Sequence, residues 1–212
     1  MVHIFLDLDG TLVDPRQGIT QSVRYALERM TLVAPPADEL TWVIGPPLIE
    51  SFTRLGVAAP EIALKYYRQR YAAQGIYEAR VYDGVIAALT ALTGAGHVLC
   101  LATAKPHVFA RRVVAHFGLA DHLADLFGPE MDGTRNDKAD LLAHAIEITG
   151  AAPGASVMIG DRVHDIEAAR ANTMASVAVT WGFGDVGEWA CADRICNAPP
   201  ELPGILNDLL AT

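Results

Sequence analysis

The chain has 212 residues, of which 51% are hydrophobic and 19% charged, and its formal net charge at pH 7 is −9. The length suits one core domain with room for a small insertion, and so apolar a composition excludes a disordered chain. The excess of negative charge disfavours nucleic acid and anionic membranes as partners, and no apolar run reaches the length of a membrane span.

Residues 2–8 read as a buried strand: almost continuously apolar, β-branched or aromatic, and too short for a helix. The run closes on Asp7, Asp9 and Gly10. A buried strand ends on carboxylates only where something positive compensates them. Side chains at i and i+2 of a strand share one side, so both carboxylates are expected to address one point. Residues 15–80 show no convincing strand. They carry helical patterns over 18–30 (Ile19, Val23, Ala26, Leu27, Met30), over 47–55 after Gly45-Pro46-Pro47, and over 60–73.

Strands and helices then alternate. Helical patterns fall at 84–93, 106–117, 138–149 and 164–171. Pro106 suits a first turn, and Gly118 and Gly150 suit C-terminal caps. Apolar strand-length runs fall at 97–103, 156–160 and 176–180, with a weaker one at 124–128. This alternation predicts an α/β fold, a Rossmann-like parallel sheet covered on both faces, formed by 1–14 and 81–212 and interrupted by a helical domain over 15–80. Trp181 to Gly184 reads as a turn after the last of these strands, without chemistry. Cys100 reads as an inert core thiol, and Cys191 and Cys196 lack the spacing of a zinc site. The chain opens straight into a strand, with no basic lead or small-residue cleavage pattern, so a reducing cytoplasm is expected.

In an open parallel sheet the ligand site lies beyond the carboxyl ends of the strands. That edge should gather Asp7 and Asp9, then Thr103-Ala104-Lys105-Pro106, then Asp161 and Asp165, with Lys138 at the head of a helix capped by Asn136 or Asp137. Only three lysines stand against thirteen arginines, and two of the three fall here. Carboxylates, a hydroxyl and lysines together suit a phosphate bound to a divalent cation. Mg²⁺ prefers a hard octahedral oxygen shell, for which Asp7 and Asp161 are the leading ligands, with Asp9 through its main-chain carbonyl and Asp165 directly or through another ligand. Lys138 and Thr103 would grip phosphoryl oxygens. Asp7 would attack phosphorus, and Asp9 would exchange protons with the leaving group and water.

These motifs resemble the haloacid dehalogenase superfamily of phosphohydrolases. Asp7-Leu8-Asp9-Gly10-Thr11-Leu12 looks like its first motif, Thr103 its second, Lys138 its third and Gly160-Asp161…Asp165 its fourth. The segment 15–80 looks like the helical cap placed between motifs one and two. Gly45-Pro46-Pro47-Leu48, Thr103-Ala104-Lys105-Pro106 and Asp132-Gly133-Thr134-Arg135 point to the phosphoglycolate phosphatase and 5′-nucleotidase-like branch, with Ala104 standing where that branch commonly has serine. The resemblance implies a Mg²⁺-dependent phosphatase of small phosphorylated metabolites working through an aspartyl-phosphate. Gly10, Thr11, Gly45, Pro46, Ala104 and Lys105 would line the substrate. A 5′-nucleotidase and a sugar phosphomutase of the β-phosphoglucomutase kind are the alternatives on this scaffold. A monomer or homodimer is expected.

Overall fold

The computed structural model describes residues 1–210. In chain order it contains β1 (His3–Leu6), β2 (Val13–Asp14), α1 (Arg16–Arg29), α2 (Leu48–Arg54), α3 (Pro60–Ala73), β3 (Arg80–Val81) and α4 (Val85–Gly94). There follow β4 (Val98–Ala102), α5 (His107–His116), β5 (Asp125–Phe127), α6 (Lys138–Thr149), β6 (Val157–Gly160) and α7 (Val163–Ala171). β7 (Ala175–Val179), α8 (Val186–Trp189), β8 (Arg194–Cys196) and α9 (Leu202–Leu210) complete the chain. Cα proximity divides it into two compact units, Met1–Val13 with Val81–Thr212, and Asp14–Arg80. The chain crosses between them at β2 and β3, which pair as a two-stranded sheet.

The first unit is built on six parallel strands in the order β5-β4-β1-β6-β7-β8. β1 is central: the chain steps outward to β4 and β5, then returns to the other side of β1 with β6. The carboxyl end of β1 is therefore the point where the winding direction reverses, the position that binds ligands in such sheets.

Both faces of the sheet are buried, as parallel strands require. Phe5 is in register with Cys100 on one side and Met158 on the other. This row packs with Leu141, Leu142 and Ala145 of α6 and with Ala168 and Ala169 of α7. Cys100 is a buried thiol that burial pushes up to about 11, in keeping with an inert core group. β8 and α9 were not expected. β8 is three residues long, two of them exposed, so it carries no apolar run.

In the second unit, α1 packs on α3 and α2 on α3. Val23, Ala26 and Leu27 of α1 are buried, as are Tyr67 and Tyr71 of α3, whose rings stack 5.4 Å apart. A 3-10 segment, Ala37–Val43, lies between α1 and α2.

Asp137, one of the two residues expected to cap α6, does so. Its Oδ1 accepts the main-chain N–H groups of Ala139 and Asp140 at 2.8 and 3.0 Å. The cap fixes the first turn of α6 and with it the starting point of Lys138. Asp137→Ala is expected to lower stability by about 1 kcal/mol, read as a lower urea midpoint at unchanged slope; an unaltered midpoint would show the cap to be without effect.

Candidate active site

The structure brings Asp7, Asp161 and Asp165 together. One carboxylate oxygen from each lies within 4.8 Å of the others, and all three residues are buried. Asp7 follows β1, Asp161 follows β6, and Asp165 sits in the first turn of α7. Lys138 stands among them: its ammonium is 2.5 Å from Asp7 Oδ1 and 2.6 Å from Asp165 Oδ1. The second Asp165 oxygen accepts the Arg162 main-chain N–H at 3.1 Å, closing the start of α7.

The electrostatics follow from this crowding. Burial pulls the Lys138 ammonium toward neutrality, but Asp165 and Asp7 outweigh it and hold lysine well above its usual range. Asp165 is raised by its own burial, against the pull of Lys138. Asp161 is pushed up to about 8, first by burial and then by the charges of Asp165 and Asp7. Three carboxylates crowd one ammonium, and full ionisation of all three would leave two negative charges uncompensated. Hard oxygens so close together are the donor set of a divalent cation, and one such ion would supply the missing charge. The residues present therefore fit a divalent metal, held by Asp7, Asp161 and Asp165.

Asp161 is held by neutral donors. Thr11 Oγ1 donates to its Oδ1 at 3.4 Å, and the main-chain N–H of Phe183 donates to its Oδ2 at 2.7 Å. The Trp189 indole donates to the Asp161 carbonyl at 3.0 Å, and the Trp181 indole to the Thr11 carbonyl at 3.0 Å. Glu188 accepts from Arg162 Nε at 2.9 Å and from the Val163 N–H at 2.8 Å. Residues 181–189 thus form a collar around the Asp161 turn. Residues 181–184, expected as a turn without chemistry, pack against the site, where a Cβ on Gly182 would overlap the Asp161 side chain, so the glycine is required by close approach. Gly10 is under the same constraint and also has φ +92°. The signal available in the sequence was position: the collar follows β7, at the same carboxyl edge as the other site residues.

Asp9 departs from expectation. β1 ends at Leu6, so Asp9 lies in a turn where the two-residue alternation no longer holds. Its carboxylate is not in the acidic cluster. Oδ2 pairs with Lys105 Nζ at 2.7 Å, and Oδ1 is buried without a hydrogen-bond partner. Burial raises Asp9 above the usual carboxylate range, against the opposing effect of Lys105. Lys105 is itself buried. Thr103 is buried at the end of β4, and its Oγ1 accepts the Lys105 N–H at 3.3 Å, which leaves its hydroxyl proton to donate elsewhere. Ala104 is exposed beside it. Gly45, with φ +105°, and Pro46 belong to the second unit.

Residues 4–179 match the family described as haloacid dehalogenase-like hydrolase. A 5′-nucleotidase of Pseudomonas aeruginosa is 43% identical over 88% of this chain and 86% of its own length. The tyrosine-protein kinase PtkA of Mycobacterium tuberculosis is 38% identical over 85% of this chain, which spans 62% of that protein. A phosphoglycolate phosphatase of Agrobacterium fabrum is 30% identical over 85% of this chain and 81% of its own. The crystal structure of a predicted phosphatase from Clostridium acetobutylicum superimposes with a TM-score of 0.91 at 34% identity, covering 100% of this chain and 99% of that one.

Two outcomes are expected from this geometry. Gly182→Ala displaces the Asp161 carboxylate and should weaken Mg²⁺ binding by about 10- to 100-fold in calorimetric titration; an unchanged affinity would dissociate the collar from metal binding. Because metal must displace the proton that Asp161 holds below about 8, Mg²⁺ affinity of the metal-free protein should fall as pH drops from 8.5 to 6. The sign follows from an acid whose folded value is raised: the proton is bound between its ordinary value and about 8, and each unit downward makes metal compete with more of it. A pH-independent affinity would contradict the assignment.

Proposed function

From a chain that belongs to the haloacid dehalogenase-like hydrolase family and is a phosphatase, we propose a finer reading: a Mg²⁺-dependent hydrolase of small phosphomonoesters that works through a phosphorylated Asp7. The observation that carries it is the placement of Asp7 between the Lys138 ammonium and two further carboxylates, with Asp9 turned to a different partner. The two aspartates thus have separate cationic partners, Lys138 for Asp7 and Lys105 for Asp9.

Asp7, Asp161 and Asp165 would hold the metal, with the Asp9 carbonyl completing the set. When bound, the ion neutralises charge on the phosphoryl oxygens and draws electrons from phosphorus. Lys138 pairs with Asp7 Oδ1 and orients it, and it offers a cation to the phosphoryl group. Thr103 donates its hydroxyl to another phosphoryl oxygen. An Asp7 carboxylate oxygen forms a bond to phosphorus as the ester P–O bond breaks, and the proton of Asp9 passes to the departing oxygen. In the second half, Asp9 takes a proton from water as the water oxygen bonds phosphorus, and Asp7 departs as a free carboxylate. The raised Asp9 is suited to arrive protonated.

Substrate choice is proposed to rest on residues of the helical segment 15–80, Gly45 and Pro46 among them, and on Gly10, Thr11 and Ala104 of the first unit. The greater likeness to the P. aeruginosa 5′-nucleotidase than to the A. fabrum phosphoglycolate phosphatase supports 5′-mononucleotides ahead of phosphoglycolate. A cytoplasmic setting is proposed on the same grounds, since the substrates are metabolites of that kind.

The test is phosphate release from a panel of mononucleotides, phosphoglycolate and sugar phosphates, with and without EDTA. Release that EDTA abolishes is expected; no release from any of them would defeat the reading, and label passing between sugars without free phosphate would indicate a mutase. Asp7→Asn should lose essentially all turnover while still binding substrate, and a wild-type rate would exclude Asp7 as nucleophile. Asp9→Asn should slow alkyl phosphates by about 10²- to 10⁴-fold and p-nitrophenyl phosphate much less; equal slowing would contradict the acid role.

A further inference from the structure

Lys105 is the second of the two lysines at this edge of the sheet, and its surroundings fix it closely. Only 5% of its side chain is exposed, and its ammonium lies 2.7 Å from Asp9 Oδ2. Its main chain is fixed from two sides. The N–H donates to Thr103 Oγ1, and the carbonyl lies so close to Gly128, just past β5, that a Cβ there would meet it at 2.6 Å. The strand ends β4 and β5 therefore aim this ammonium at one oxygen of Asp9. The other oxygen, Oδ1, is buried and has no hydrogen-bond partner.

An aspartate carboxyl group turns about its Cβ–Cγ bond in a broad, two-fold well, so its oxygens exchange places unless one is held. We propose that Lys105 is a positioning residue that pins Asp9 Oδ2 and thereby leaves Oδ1 as the one oxygen available to exchange a proton with the leaving group and water. The inference rests on the reading of Asp9 as the acid and base of the reaction. The proton leaves Oδ1 for the ester oxygen as the P–O bond breaks, and a proton of water returns to Oδ1 as the water oxygen bonds phosphorus. Lys105 itself transfers no proton to the substrate and bonds neither substrate nor phosphorus. This differs from a lysine that contacts the substrate, because its effect is then exerted only through Asp9.

Four proteins test it: wild type, Lys105→Met, Asp9→Asn and the double variant, each assayed for kcat/KM on an alkyl phosphate and on p-nitrophenyl phosphate. Lys105→Met should lose about tenfold or more on the alkyl ester and markedly less on the aryl ester, whose leaving group needs little protonation. In the Asp9→Asn background the same change should add almost nothing, because residues that act as one unit are not additive. Full additivity, or equal slowing of both esters by Lys105→Met, would overturn the positioning role and place Lys105 on the substrate. If Asp9→Asn itself fails to distinguish the two esters, the acid reading falls and the inference with it, an outcome separate from failure of the cycle alone. Should Lys105→Met not fold, as judged by circular dichroism, Lys105→Gln takes its place in the same cycle, and full additivity with Asp9→Asn there contradicts the proposal.

Discussion

Three carboxylates buried around one ammonium set the terms for the rest of this molecule. Asp7, Asp161 and Asp165 approach one another within hydrogen-bonding range of a common point, and Lys138 supplies a single positive charge. Burying like charges is costly unless geometry and compensation are both good. The response is visible in Asp161, which is pushed up to about 8 although neutral donors and the Arg162 charge oppose the shift. A site arranged in this way is poorly satisfied by protein alone. That deficit is what a divalent ion and a phosphate ester would relieve.

The fold delivers the cluster through its winding. β1 lies between β4 and β6, and both neighbours end at the same edge. The residues just beyond β1, β4 and β6, Asp7, Thr103 and Asp161, are thereby brought to one edge although they lie far apart in sequence. Fine positioning comes from short-range devices: Asp137 capping α6, Asp165 closing the start of α7, and the 181–189 collar on Asp161. Asp137 and the collar touch no reacting group, and Asp165 closes its helix with one oxygen while the other faces Lys138. Each removes freedom from a group of the site.

Most of the sheet was legible because parallel strands buried on both faces leave unbroken apolar runs, as at 156–160 and 97–103. The acidic cluster was legible because strand ends in such a sheet converge. β8 escaped notice because it is a short edge strand with exposed side chains. The collar escaped because its contribution is made by main-chain N–H groups, indoles and missing Cβ atoms, which leave no charged signature. Asp9 was expected to share a point with Asp7; the strand ends three residues earlier, and the alternation that would have aligned them stops with it. Its pairing with Lys105 arises from the packing of β4 against β5, which spacing does not encode.

The most direct measurement of the central claim is anomalous scattering from crystals grown with Mn²⁺ in place of Mg²⁺. A single peak between the side chains of Asp7, Asp161 and Asp165 is predicted. A protein that turns over phosphomonoesters but shows its peak elsewhere, or none at these three residues, would contradict it.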